Sequence, residues 1–261
     1  MNQIRPTTRA DKALRRLIRA GALAFARHLA QLMTSDDPEG PHKARVALRR
    51  LRAAFTAFRP ILRAPVYRRQ TATLRNLGRE IGRLRDADVL ALALNLPDFA
   101  TAATHQRALT RRALRKARAA RWADRLADKL ADGPAPKSWF RKSRKSPVLP
   151  LAVKALDHAF QRSRSHGPDL TVLPEEQRHD LRKSLKSLRY ICDHFRPLWP
   201  QADPAFPTLL AALQDDLGHL NDISVARALG QTLPDAPEVL AHAQTQWAAL
   251  LATPHFWAAT P

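Results

Sequence analysis

Residues 41–60 read PHKARVALRRLRAAFTAFRP, and residues 178–197 read RHDLRKSLKSLRYICDHFRP. The two stretches align without a gap and share eight of twenty positions, among them His42 with His179, Arg45 with Arg182, Arg52 with Arg189 and the closing Phe-Arg-Pro. At about 100° per residue, His42, Arg45, Arg49 and Arg52 fall within an arc of about 80°, and Leu48, Leu51, Phe55, Phe58 and Leu62 fall in a separate arc about 120° away. The stretch is therefore an amphipathic helix with a basic stripe distinct from the apolar stripe that a bundle would bury. His179, Arg182, Lys186 and Arg189 repeat the basic spacing, and Leu185, Leu188, Cys192 and Phe195 repeat the apolar one.

A second match follows each helix in the same order. Leu77, Ile81, Gly82, Leu84, Asp86 and Val89 have counterparts in Leu213, Leu217, Gly218, Leu220, Asp222 and Val225. Two ordered matches make the chain an internal duplication. Apolar residues recur at three- and four-residue spacing throughout, alternating β-branched runs are absent, and Ala, Leu and Arg dominate, so an all-α fold is expected. Helices are expected over about 8–33, 42–63, 66–94 and 97–131, then over 151–163, 175–198, 204–229 and 236–252. Residues 132–150 carry Gly133, four prolines and the run KSWFRKSRK at 137–145. That composition reads as a solvated basic linker. The expected organisation is thus a four-helix bundle over 1–131, a linker over 132–150 and a second four-helix bundle over 151–261.

Composition narrows the function classes. The 261 residues include 44 Lys and Arg against 23 Asp and Glu, a formal net charge of +21, with 45% hydrophobic residues. That apolar content supports a packed core and argues against disorder. No apolar run approaches the roughly 18–20 residues of a membrane span. The apolar stretch 20–26 is cut by Arg27 and His28, too short and too charged for a secretory segment, and the single Cys192 cannot form an internal disulfide. A cytoplasmic location is the expectation. Arg outnumbers Lys, which either reflects a GC-rich genome or exploits the five-donor guanidinium fork that suits phosphate oxygens. The net charge itself points to an anionic partner: nucleic acid, anionic lipid or polyphosphate.

Further cations share helix faces. Arg9, Lys12, Arg16 and Arg19 lie opposite Leu14, Ile18, Phe25 and Leu32 on the first helix, and Arg75, Arg79 and Arg83 step along the third. One such stripe is ordinarily a solvated face. Here the stripes repeat between halves and have few acidic partners one turn away, so mutual repulsion costs stability unless an anion binds. His42 and His179 have arginines as neighbours, which disfavours a metal and favours either phosphate donation or a local helix-end hydrogen bond. Asp86 and Asp222 fit a role in fixing arginine side chains. Gly82 and Gly218 sit inside helices at a cost of about 1 kcal/mol each relative to alanine. Close helix packing and backbone approach to a ligand both account for them. With five glutamates and no nucleophile–base pair or acidic metal cluster, no catalytic residue, metal or cofactor is expected.

The duplicated His-x-x-Arg-x-x-x-Arg/Lys-x-x-Arg helix, each copy followed by Gly-x-Leu-(Arg/Asn)-Asp, resembles the CHAD family, the conserved histidine α-helical domain, over about residues 5–255. The resemblance implies two four-helix bundles related by a pseudo-twofold axis, with a basic central groove or pore between them. It also implies a non-enzymatic module that binds inorganic polyphosphate and associates with polyphosphate granules. Carried over by position, the expected phosphate contacts are His42, Arg45, Arg49, Arg52, His179, Arg182, Lys186 and Arg189. The cations of the first and third helices are weaker carry-overs. The chain departs from its own repeat where His219 and Asn221 stand in place of Arg83 and Arg85, which puts equal binding by the two halves in doubt. The Glu-x-Glu-x-Lys signature of the fused triphosphatase domain is missing. A nucleic-acid-binding protein is the alternative, supported by the charge and by Trp139 and Phe140 in a basic setting, and disfavoured by the scarcity of aromatics in the stripes.

Overall fold

A computed structural model describes residues 4–94, 96–130, 136–228 and 236–259. Its helices are α1 (Ala10–Thr34), α2 (Glu39–Ala57), α3 (Ala64–Leu94), α4 (Pro97–Lys116), α5 (Ala119–Lys129), α6 (Val148–Arg164), α7 (Glu175–Phe195), α8 (Ala205–Ala228) and α9 (Pro237–Ala252). Among the described residues the only β pairing is two isolated bridges, Arg9 with Pro147 and Leu62 with Phe140. The fold is all-α, as the periodicity requires. The chain divides into two units, Thr8–Val148 and Leu149–Pro261, the second taking in Met1–Thr7.

In the first unit the predicted apolar arcs are the core. Leu14, Ile18, Phe25 and Leu32 of α1, Leu48, Leu51 and Phe55 of α2, Phe58 just after it, and Leu74, Leu77, Ile81 and Leu84 of α3 are all buried, with α2 packed against both α1 and α3. Each such side chain contributes about 1.5–3 kcal/mol by leaving water. Gly21 sets how closely α1 approaches α2, because a Cβ there would lie 2.7 Å from Leu51 Cδ2. After α2, the Phe-Arg-Pro sequence turns into a short 3-10 segment, Arg59–Ile61, and the matching sequence after α7 makes the same turn at Arg196–Leu198.

Two expectations fail here. The single helix expected over 97–131 breaks at Arg118, which adopts the left-handed conformation at φ 52°. A non-glycine residue there costs roughly 1–2 kcal/mol. The break lets α5 fold back on α1, burying Ala123, Leu126 and Ala127. It also sets Trp122 edge-on to Phe25 at 5.9 Å and lets the indole Nε1–H donate to Gln70 Oε1 at 3.2 Å. Among the described residues the first unit therefore carries α1 to α5 where four helices were expected. The segment over 136–148 is not a free linker: its cations are mostly exposed, but Trp139 and Phe140 are buried. The Arg63 N–H donates to Trp139 O at 2.9 Å, and the Arg141 N–H donates to Ile61 O at 2.8 Å. The basic run is fastened to the first unit by its two aromatic residues, and the unit boundary falls at Val148.

Part of the positive charge builds this fold. Arg107 of α4 pairs with Asp88 of α3 at 2.7 Å, both buried. Arg111 donates to Leu32 O at 2.9 Å and Ser35 O at 2.7 Å, satisfying carbonyls left over at the end of α1. In the second unit Leu156 and Phe160 of α6, Leu181, Leu185 and Leu188 of α7, Leu210, Leu213 and Leu217 of α8, and Trp247 and Leu250 of α9 form the core. His255 packs there edge-on to Phe160 and stacked on Trp257 at 4.6 Å.

Candidate anion-binding site

In the first unit the N-terminal part of the basic stripe of α2, His42 and Arg45, lies beside α3. Arg45 Nη1 donates to Asp86 Oδ1 at 3.0 Å, and its side chain is about one-third exposed while that of Asp86 is largely exposed. The guanidinium rests against Gly82: a Cβ built there would lie 3.7 Å from Arg45 Cζ, 3.8 Å from Nη2 and 3.9 Å from Nε. His42 is held below the ordinary histidine range by burial first and then by Arg85, with Arg45 and Arg49 adding to the effect and Glu39 opposing it. His42, Arg45, Arg49 and Arg85 thus form one cationic neighbourhood drawn from two helices. Arg49 is half-buried and Arg52 exposed.

The second unit repeats the arrangement with a substitution. Arg182 rests against Gly218, where a Cβ would lie 3.6 Å from Nη2 and 3.9 Å from Nε. His179 Nδ1–H donates to Asn221 Oδ1 at 2.6 Å, leaving Nε2 as the ring nitrogen for another partner. Asn221 holds the position that Arg85 holds in the first unit, so the same place beside the histidine carries a cation in one unit and an amide in the other. Lys186 is half-buried, and Arg189 Nη1 donates to Gln214 Oε1 at 3.4 Å. Asp222 is exposed and accepts from Asn221 Nδ2 at 3.4 Å. A cleft of about 610 Å³ between α7, α8 and α9 is lined by His179, Arg178, Lys183, Asn221 and Arg227 over apolar residues such as Leu217, with Glu175, Glu176 and Asp180 at the same wall.

The weaker candidates scatter. Arg9 stands outside the helix as the residue before α1, and its guanidinium grips the buried Asp11 at 2.7 and 3.1 Å, with Arg144 3.5 Å from the same carboxylate. It is part of the fold's fastening. Lys12, Arg16 and Arg19 are exposed along α1, and Arg75 and Arg79 along α3. Arg83 is turned onto Glu80 at 3.1 Å, one turn away on its own helix. Sequence reasoning missed Arg85 and Asn221 as partners of the two histidines. The signal was present, since both lie in the repeated segment one residue before the aspartate. Among the described residues no three His, Cys, Asp or Glu side chains cluster as a metal would need, and no described helix is long and apolar enough to cross a membrane.

An all-α chain with matched cationic clusters on α2–α3 and α7–α8 is the class of protein these features define. The CHAD domain model matches residues 9–231, so the chain belongs to the CHAD domain family. The structure is similar to the crystal structure of the CHAD domain from the plant Ricinus communis, with a TM-score of 0.71 and 22% identity, covering 96% of this chain and 89% of that one. PptA from Streptomyces chartreusis also matches, at a TM-score of 0.48 and 21% identity, over 94% of this chain and 96% of that one. No curated protein matches.

Proposed function

We propose that this protein is a non-enzymatic module that binds inorganic polyphosphate, the ligand that membership of the CHAD family implies, at the clusters centred on Arg45 and Arg182. The observation that carries this reading is the paired construction: in each unit a histidine and an arginine three residues apart on one helix meet the repeated Gly-x-Leu-x-Asp segment of the next. Arginine offers planar, charge-assisted donors to phosphate oxygens, and histidine adds a donor that charges when an anion approaches. A phosphate polymer has no bases, so its recognition needs cations and no stacking platforms.

That last point separates polyphosphate from nucleic acid. None of the five Trp, nine Phe and two Tyr is exposed. Trp139 and Phe140, which carried the sequence argument for nucleic acid, are core residues. Single-strand binders gain about 1–3 kcal/mol per stacked base from exposed aromatics, whereas here Tyr67, Phe99, Trp122 and Tyr190 are half-buried and the other aromatics are buried. Placement in the cytoplasm and association with polyphosphate granules belong to the same proposal.

The test is a competition at near-physiological salt between long-chain polyphosphate and mixed-sequence DNA for labelled protein. Polyphosphate should win. Preference for DNA would reverse the assignment. Salt sensitivity decides nothing, because counterion release drives both associations. Combined replacement of Arg45, Arg49, Arg182 and Lys186 by alanine should abolish binding with helicity retained. Survival of affinity there, with loss on replacing Lys142, Arg144 and Lys145, would move the site to the 142–145 turn. Steady phosphate release with added divalent metal would refute the non-enzymatic assignment.

A further inference from the structure

We propose that Gly82 and Gly218 are positioning residues: by lacking a side chain, each holds open the surface of α3 or α8 on which the guanidinium of Arg45 or Arg182 is seated. The proposal rests on the polyphosphate reading for its purpose, and on geometry alone for its mechanism.

Glycine inside a helix lowers stability relative to alanine, so its presence needs a reason. Close helix packing is the reason at Gly21, where a Cβ would run into Leu51. At Gly82 and Gly218 the nearest atoms to a Cβ all belong to one arginine, and at Gly218 nothing else lies within 4 Å. At Gly82 the closest atom is Cζ, with Nη2 and Nε barely farther, so the vacant Cβ position looks onto the guanidinium face rather than its edge. At Gly82 a face seated on the helix leaves the donors of Arg45 around the rim directed sideways; at Gly218 only Nη2 and Nε of Arg182 come within 4 Å, so that guanidinium meets its helix by an edge. Arg45 uses one of its rim donors, Nη1, on Asp86 at 3.0 Å. Seating a long side chain before the ligand arrives removes part of the ordering cost that binding would otherwise carry. Gly78, one turn earlier on α3, has nothing within 4 Å of a Cβ and supplies the internal control.

An alanine at either site would bring its Cβ to ordinary contact, 3.6–3.7 Å from the nearest guanidinium atom. A valine adds two branches beyond a Cβ that is already in contact with the guanidinium, so crowding of the arginine is expected. The expected series is a small loss of polyphosphate affinity for Gly82→Ala and Gly218→Ala, a loss of at least tenfold for Gly82→Val and Gly218→Val, and no change for Gly78→Val, which carries the same β-branched burden in the same helix as Gly82. In the Arg45→Ala background, Gly82→Val should cause no further loss, because the group it displaces is already gone. Wild-type affinity in both valine variants would overturn the inference, and so would an equal loss with and without Arg45.

A ligand-independent measurement separates this inference from the functional one. The Nε–H signals of Arg45 and Arg182, observed by NMR in the protein alone, should show restrained side chains in the wild type and mobile ones in the valine variants. If the wild type fails to bind polyphosphate while these signals behave as stated, the ligand assignment falls and the positioning role stands. If the signals are as mobile in the wild type as on an exposed arginine, the positioning role falls whatever the polymer does.

Discussion

Desolvation holds the proton affinity of His42 down, the cations Arg85, Arg45 and Arg49 add to the effect, and Glu39 opposes them. Phosphate oxygens arriving at this cluster reverse the local field and raise its affinity for a proton. Between the depressed value of the unoccupied protein and the higher value of the complex, binding takes up a proton. Affinity should therefore increase as pH falls through that window and level off above it. Calorimetry across pH 5.5–8 in buffers of different ionisation enthalpy would show the uptake, and His42→Gln should flatten it. A profile unchanged by His42→Gln would place the proton elsewhere. The sign for folding is opposite. In the absence of ligand the unfolded chain protonates His42 at higher pH than the native protein does, so stability is lost as pH drops below the ordinary histidine value. His255, depressed by its burial among Phe160, Phe206 and Trp257 and secondarily by Arg164 against the pull of Asp157, adds to the same loss.

At the scale of elements, amphipathic pattern and helix ends behaved differently. Apolar arcs were legible because a helix that buries one face must repeat its apolar residues every three or four positions. The break at Arg118 was not, since Arg115-Lys116-Ala117-Arg118 contains neither glycine nor proline. Only the burial gained by α5 against α1 justifies a left-handed arginine. The segment at 136–148 misled for the complementary reason. Its prolines and cations dominate its composition, while two adjacent aromatic residues decide its fate. Phe140→Ala should cost about 3–5 kcal/mol, the usual range for a buried phenylalanine. Urea unfolding of the first unit would read this directly, and a change near zero would mean that the segment is not anchored.

The net charge of +21 is a property of the whole molecule, and the structure divides it by use. Arg9, Arg107 and Arg111 are committed to Asp11, Asp88 and the end of α1. The stripes of α2 and α7 add cations close to one another, and their repulsion weighs on the native state. An anion that binds only the folded protein should offset this. At a free ligand concentration of about 100 times Kd, stabilisation by mass action is about 2.7 kcal/mol. For a chain of this size that amounts to a rise in Tm of roughly 5–11 °C, at about 2–4 °C per kcal/mol. Thermal melts with polyphosphate should show the rise in wild type and lose it in the Arg45, Arg49, Arg182, Lys186 alanine variant. An equal rise in both would mean that the polymer acts through charge in general and not through these clusters.

The sequence alone determined that this chain is helical, which face of the first two helices and of the repeated helix at 175–195 is buried, and that two helices carry matching His and Arg rows, because periodicity and repetition are local and survive in one dimension. Tertiary structure decided which cations are spent on the fold, that Arg85 and Asn221 are the neighbours of the two histidines, and that Gly82 and Gly218 face guanidinium groups. Those outcomes depend on where one helix crosses another. Crossing is set by packing between residues some forty positions apart, such as Arg45 with Asp86, and no pattern within either helix contains it.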